Sequence, residues 1–185
     1  MDLYPIFKLL HIFAALAWVG GGLTLLVSTI ITMRQKGELA TIRAAGNGVN
    51  LGKYWFMPAS LLTLVFGLAM TATAGLWSEL WIWIALAGFA TTFATGALVF
   101  EPTSRTMAKA MTEGRETDAV VIGRSLLNVM KFDYTMMLLV VADMVLKPTL
   151  SDIPVLGAMG AVLLVAVGLF LIEPGRRAGD EPRMA

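Results

Sequence analysis

IFKLLHIFAALAWVGGGLTLLVSTIITM, residues 6–33, is the apolar stretch on which the rest of the chain depends. It contains the only histidine of the protein, His11, followed by Trp18 and a glycine run that ends at Gly22. The run exceeds the ~20 residues that a helix needs to cross a bilayer. It predicts a tilted or protruding transmembrane helix over about residues 5–33. Because no basic residue precedes it, we expect this helix to be retained rather than removed as a signal peptide.

The spacing within this stretch places its unusual residues on one side of the helix. Trp18 and Gly22 follow His11 by seven and eleven residues, and each returns to nearly the same azimuth at ~100° per residue. One helix face therefore carries His11, Ala15, Trp18 and Gly22. A ligand-capable ring, an indole and small residues suit either a helix-packing seam or the wall of a cofactor site.

Composition defines the class of protein. Of the 185 residues, 57% are hydrophobic and only 15% are charged, against about 25% charged residues in soluble domains. The chain is therefore predicted to be an integral membrane protein. The absence of cysteine excludes disulfides, iron–sulfur clusters and thiolate metal sites. A single histidine excludes a multi-histidine site within one chain, and a net charge of +1 gives no field suited to nucleic acid.

Four more apolar segments complete the predicted fold, an all-α bundle of five transmembrane helices. The expected spans are about residues 5–33, 54–76, 79–100, 126–146 and 153–173. Residues 1–173 form one bundle domain, and residues 174–185 form a short charged cytoplasmic tail. Residues 34–53 are expected to be a loop with a short helix. The fourth helix is expected to start near Thr117 or Asp118 and to run to Lys147, where Pro148 stops it.

Two smaller features refine this picture. Gly88, Thr92 and Gly96 form a small-xxx-small seam in the third span, which permits close approach of another helix. A Glu-Pro pair, Glu101-Pro102, follows that span, and a proline there is typical of a helix stop.

The distribution of basic residues predicts the orientation. With five spans and the N-terminus outside, the external side holds only Lys8 and Lys147. The cytoplasmic segments hold the other twelve: Arg34, Lys36, Arg43, Lys53, Arg105, Lys109, Arg115, Arg124, Lys131, Arg176, Arg177 and Arg183. This asymmetry indicates a multi-pass protein of the bacterial inner membrane with a cytoplasmic C-terminus. A four-span alternative would place residues 118–147 on the membrane surface.

The fourth span supplies the polar groups that could serve His11. Asp143 is expected at a depth similar to that of His11, so we predict a contact in which the carboxylate orients the imidazole. The alternative is an i,i+4 pair between Asp143 and Lys147 on one helix. Asp133 is expected to pair with a basic residue such as Arg34 or Lys53.

Three methionines in this span are spaced by seven residues: Met130, Met137 and Met144. Such a stripe is typical of core packing. It could also line a porphyrin pocket or offer soft ligands to Cu(I).

The motif LLHIFAALAWVGGGL, residues 9–23, resembles the first helix of the CopD-like superfamily of bacterial membrane proteins. In that helix a histidine is followed by tryptophan seven residues later and then by glycine. Residues 143–150, DMVLKPTL, look like the end of the penultimate helix in the uncharacterised branch of the superfamily, described as predicted integral membrane protein. The resemblance implies the same membrane fold.

A more distant resemblance suggests a role for His11. HemJ-type protoporphyrinogen oxidases have the same histidine-to-tryptophan spacing, and their histidine is thought to bind haem b. By that resemblance His11 would be an axial haem ligand. Those enzymes also have a functional lysine in a later helix, whereas spans two and three here contain none. CopD proteins are linked to copper uptake, but they are longer and richer in ligands.

These observations lead to one functional hypothesis and two alternatives. The first is a membrane protein that binds haem b or another redox cofactor through His11, with Trp18, Gly22 and Asp143 around it. A methionine, or His11 of a second copy in a homodimer, would supply the other ligand. The alternatives are a cofactor-free accessory or assembly subunit of a membrane complex and a copper or other metal-ion permease. Whether the protein is an enzyme stays open; as an enzyme it would be a haem-dependent oxidoreductase.

Overall fold

The chain folds almost entirely into helices. The computed structural model describes residues 3–45 and 52–172, and no strand occurs within these ranges. The helices are α1 (Tyr4–Lys36), α2 (Glu38–Ala45), α3 (Met57–Ala74), α4 (Leu80–Thr112), α5 (Glu116–Leu146) and α6 (Ile153–Ile172). A π-helical turn, Gly52–Phe56, leads into α3. The predicted all-α bundle is confirmed, and the charged tail from residue 174 lies outside the described residues.

Within the described ranges, four helical segments are long and apolar enough to cross a membrane. They are Tyr4–Lys36, Tyr54–Ala74, Leu80–Thr112 and Ile153–Ile172, which match four of the five predicted spans. The remaining predicted span, residues 126–146, lies within α5 and carries Lys131, Asp133 and Asp143 in its apolar part. A crossing by α5 therefore stays a prediction from its sequence and its central position.

The helices pack as two antiparallel pairs. α1 lies along α3, and Trp55 Nε1 donates a hydrogen bond to the Ala17 carbonyl at 3.1 Å where α3 begins. α4 lies along α5, which also contacts α1, α2 and α6. α6 rests on α5, where Ala166 packs against Phe132 and Met136. α5 is thus the helix around which the others are arranged.

Helix α4, which contains the predicted third span, extends further than the sequence predicts. It passes through Glu101-Pro102 and ends only at Thr112. A π-helical turn over Gly96–Phe100 precedes the proline, so Pro102 falls in the first turn of the segment that follows. A missing N–H costs little at that position. The prediction that Glu-Pro stops the helix is therefore wrong.

A hydrophobic cluster joins α2 to the C-terminal end of α4 and the N-terminal end of α5. Its buried members are Ile42, Met107, Ala110, Ala119 and Leu126. Ile42 lies directly over Gly123, where a Cβ would come within 3.0 Å of the isoleucine Cδ1. The short helix expected in residues 34–53 is confirmed as α2, whereas residues 46–51 lie outside the described residues.

The helix ends follow local signals. α5 begins at Glu116, within two residues of the predicted start. It ends at Leu146, after which Lys147 adopts a left-handed φ of 48° and Pro148 prevents continuation. The predicted stop is therefore confirmed.

The connection from α5 to α6 makes folding stability depend on pH. The backbone N–H and the hydroxyl of Thr149 donate to Asp152 Oδ2 at 2.8 and 2.7 Å and hold the pKa of Asp152 below its ordinary value. A carboxyl whose pKa is lower in the folded state stabilises at neutral pH, and this contribution disappears as the pH falls through the folded pKa. We expect Asp152→Asn to reduce the loss of melting temperature between pH 7 and pH 3. An unchanged loss in the variant would contradict this assignment.

Candidate functional site

The face of α1 that carries His11, Trp18 and Gly22 points into the bundle. Trp18 is 8% exposed, whereas Phe13 and Leu16 on the opposite side are 60% and 63% exposed. His11 and Gly22 are half-buried. The predicted face is confirmed, and it meets α3 near His11 and α5 near Gly22.

His11 is held by α3. Its Nδ1 lies 2.8 Å from the backbone oxygen of Thr63. A carbonyl oxygen can only accept, so Nδ1 carries the proton and donates it. The ring lies against Gly67, where a Cβ would come within 3.1 Å of Cε1 and 3.2 Å of Nδ1. Nε2 is therefore the nitrogen whose lone pair is left for a ligand or a proton.

Trp18 and Gly22 contact other side chains of the same chain. The Trp18 ring meets Phe89 edge to face, with ring centroids 5.3 Å apart and planes at 61°. Trp18 is buried together with Ala59 and Met137. The Met137 sulfur and methyl group lie 3.6 Å from where a Cβ of Gly22 would stand. In the single chain this part of the face is therefore covered by Phe89, Ala59 and Met137.

The predicted contact between His11 and Asp143 is wrong. Asp143 is fully buried, and neither of its carboxylate oxygens has a hydrogen-bond partner. The reason is azimuth. α5 meets α1 through Met137, and Asp143 is six residues further along, ~120° around the helix. The carboxylate therefore points away from α1.

Asp143 lies on the side of α5 that meets α4 and α6, since it is ~20° from Phe132, which packs against Ala166 of α6. It is within ~60° of Met136 and Val140, whose side chains approach Gly88 of α4. The buried residues of α4 in the same half of the interface are Trp81, Ile82 and Ala85. The predicted seam is thus confirmed at Gly88 and at the buried Thr92, whereas nothing lies within 4 Å of Gly96.

The alternative partner of Asp143, Lys147, is also engaged elsewhere. The Lys147 ammonium lies 5.2 Å from the centroid of the Trp81 ring, a cation–π contact. It lies one turn beyond Asp143, at the C-terminal end of α5. The predicted i,i+4 ion pair is therefore not formed in this structure.

The predicted ion pair of Asp133, the other acidic residue in the apolar part of α5, is tested next. Asp133 Oδ1 is buried without a hydrogen-bond partner, and Asp133 forms no ion pair with Arg34. The side chain of Lys53, the other predicted partner, lies outside the described residues.

Met137 is 3% exposed and packs against Trp18, which confirms core packing at that methionine. In the described ranges no three His, Cys, Asp or Glu side chains are grouped to hold a metal ion.

Two ion pairs between α2 and α5 could not be anticipated. Arg124 donates to both carboxylate oxygens of Glu38 at 2.7 and 2.8 Å, and this hydrogen bonding lowers the pKa of Glu38. Arg43 donates to Glu116 at 2.7 Å. The partners of these pairs are 86 and 73 residues apart in sequence, and no local pattern signals such pairing.

Comparison with models of known protein families gives a match that covers most of the chain. A family model described as predicted integral membrane protein (DUF2269) matches residues 5–148, which includes α1 to α5 and the site around His11. No curated protein and no solved structure matches the chain.

Proposed function

The chain belongs to this DUF2269 family of integral membrane proteins, and we propose that it holds a haem b or a related metal cofactor through Nε2 of His11. The observation that carries the proposal is the setting of the imidazole. Ligating histidines almost always donate their second ring N–H to a carboxylate or a backbone carbonyl, which fixes the tautomer and raises the basicity of the ligating nitrogen. The hydrogen bond from Nδ1 to the Thr63 carbonyl is of this kind.

The residues present supply one ligand for this group, but they do not form a complete pocket around it. His11 offers one nitrogen, while the layer formed by Trp18, Phe89 and Met137 is filled. The proposal therefore places no part of a porphyrin in that layer. With one histidine per chain, a second ligand would be either a methionine or His11 of a second copy. When bound, the group would supply one-electron chemistry, and the chain's part is to position Nε2 and keep Nδ1 protonated.

The test is the visible spectrum of the protein purified in mild detergent after expression with ample haem. We expect a Soret band that is lost in His11→Ala. Gly67→Ala should shift or weaken the band, because its new Cβ displaces the imidazole. Gly20→Ala is the matched control, since nothing lies within 4 Å of that position. A wild-type protein without the band, or a band that survives His11→Ala, would reject the proposal.

The stoichiometry of the same preparation identifies the second ligand. One haem per two chains indicates a homodimer that shares the group through two copies of His11. One haem per chain indicates a methionine ligand. Loss of the band with intact folding in His11→Ala separates a ligand from a histidine that only packs against α3.

We also propose the bacterial inner membrane as the location, with the N-terminus outside and the C-terminus cytoplasmic. The distribution of Lys and Arg supports this orientation, with twelve basic residues on one side and Lys8 and Lys147 on the other. It places His11 toward the external surface.

A further inference from the structure

The end of the α4–α5 interface nearest Lys147 contains a carboxyl group that forms no hydrogen bond with the rest of the protein. Asp143 is fully buried, and both of its oxygens are without a hydrogen-bond partner. A charged group costs a large free energy when it is taken out of water without a partner. An ionisable side chain in such a place inside a membrane protein usually marks a functional site.

The residues around Asp143 favour a proton over a metal cation as its ligand. The facing part of α4 buries Trp81, Ile82 and Ala85, which offer no side-chain oxygen. Metal cations such as Ca²⁺ or Mg²⁺ require about six oxygen ligands, and in the described residues no three His, Cys, Asp or Glu side chains are grouped to hold such an ion. A proton requires only the carboxylate itself, which then becomes a neutral acid.

Charged groups near this point are few. α6 carries no titratable side chain from Ile153 to Ile172. His11 faces α3 instead, and Asp152 is bound by Thr149 in the connection to α6. Glu79 precedes α4 at the membrane-surface end. Lys147 is one turn from Asp143 on the same helix, and its ammonium lies over Trp81.

We propose that Asp143 is a proton-binding site between α4 and α5, closed toward the nearer membrane surface by the Trp81–Lys147 contact. The arrangement in the structure, with both carboxyl oxygens unpartnered and Lys147 on the indole, corresponds to the protonated form of the proposed site. On release the O–H bond breaks, the electron pair stays on the carboxylate oxygen and the proton passes to water at the surface. The Lys147 ammonium then leaves Trp81 and pairs with the anion. The site is independent of His11, so failure of the haem experiment does not affect it.

The test is infrared spectroscopy of the full chain in lipid, which detects the C=O stretching band of a protonated carboxyl group. We expect such a band near neutral pH in the wild type and its loss in Asp143→Asn. The amide has the shape of the neutral acid, so this variant should fold, and its elution on size exclusion verifies that. Asp133→Asn identifies any band from Asp133. Asp118→Asn is the control at an exposed aspartate that is paired with Arg115 and should leave the spectrum unchanged. Identical spectra of wild type and Asp143→Asn would overturn the proposal.

A second measurement tests the closure by Lys147. In D₂O the Asp143 band shifts as its proton exchanges, and we expect this shift to become several-fold faster in Lys147→Ala. The truncation opens the route past Trp81 without touching the carboxyl group. An unchanged exchange rate would reject the role of the Trp81–Lys147 contact.

Discussion

Replacing Gly88 with alanine should destabilise the folded protein by about 1–3 kcal/mol, the range for overpacked interiors. A Cβ at this position would overlap the Cγ2 methyl of Val140, which belongs to a stiff β-branched side chain of the facing helix. Close helix contact at small residues is a main source of helix association in membranes. Because α4 and α5 form one of the two main helix pairs, the strain acts on the centre of the bundle.

The measurement is reversible unfolding in mixed detergent micelles, compared with two other variants. Gly160→Ala in α6 is the matched control, because nothing lies within 4 Å of Gly160 and the helix gains only the alanine propensity. Val140→Ala introduced into Gly88→Ala should recover most of the lost stability, since it removes the overlapping methyl group. A Gly88→Ala protein as stable as the Gly160→Ala protein would contradict the observed packing.

The inward face of α1 could be predicted because helical period is a local property. His11, Trp18 and Gly22 must share a face once α1 is a helix, and the polar and small residues on that face distinguish it from the side of Phe13 and Leu16. The spans followed in the same way from continuous apolar length. The family match confirms the class of protein but adds no activity.

The partner of Asp143 could not be predicted, because depth along two helices does not determine azimuth between them. The sequence places Asp143 near the level of His11 and on the same side of α5 as Met136. Which neighbouring helix that side meets is decided by the packing of the whole bundle. In the structure the side of α5 that carries Met136 faces Gly88 on α4, and Met137 faces Gly22 on α1. The proposed proton site at Asp143 therefore depends on tertiary structure alone.

The passage of α4 through Pro102 was missed for a related reason. A proline excludes an ordinary α-helical hydrogen bond, but the π-helical turn over Gly96–Phe100 adjusts the backbone ahead of it. The pairing of Glu38 with Arg124 could not be predicted either, because no local sequence pattern indicates that surface charges 86 residues apart will meet. Exposed pairs of this type contribute less than about 1 kcal/mol each.

Trp18→Ala is expected to have the largest effect of any single substitution considered, a loss of about 3–5 kcal/mol if the site behaves like a soluble core. The indole is 8% exposed, meets Phe89 edge to face and is buried against Ala59 and Met137. Its removal leaves a cavity at the point where α1, α3, α4 and α5 come together. Phe13→Ala is the matched control, because Phe13 is 60% exposed on the other side of α1 and should change stability by less than about 0.5 kcal/mol.

The same variant decides what Trp18 does beside His11. If the indole packs the interior, Trp18→Ala lowers stability in the micelle assay, while any Soret band of the remaining folded protein keeps its position. If the indole forms the wall of a cofactor site, the band shifts even where folding is preserved. Trp18 packs against Phe89, Ala59 and Met137, and Gly22 is covered by Met137. We therefore expect a large loss of stability without a spectral shift, which assigns ligand binding to His11 alone and packing to the rest of that face.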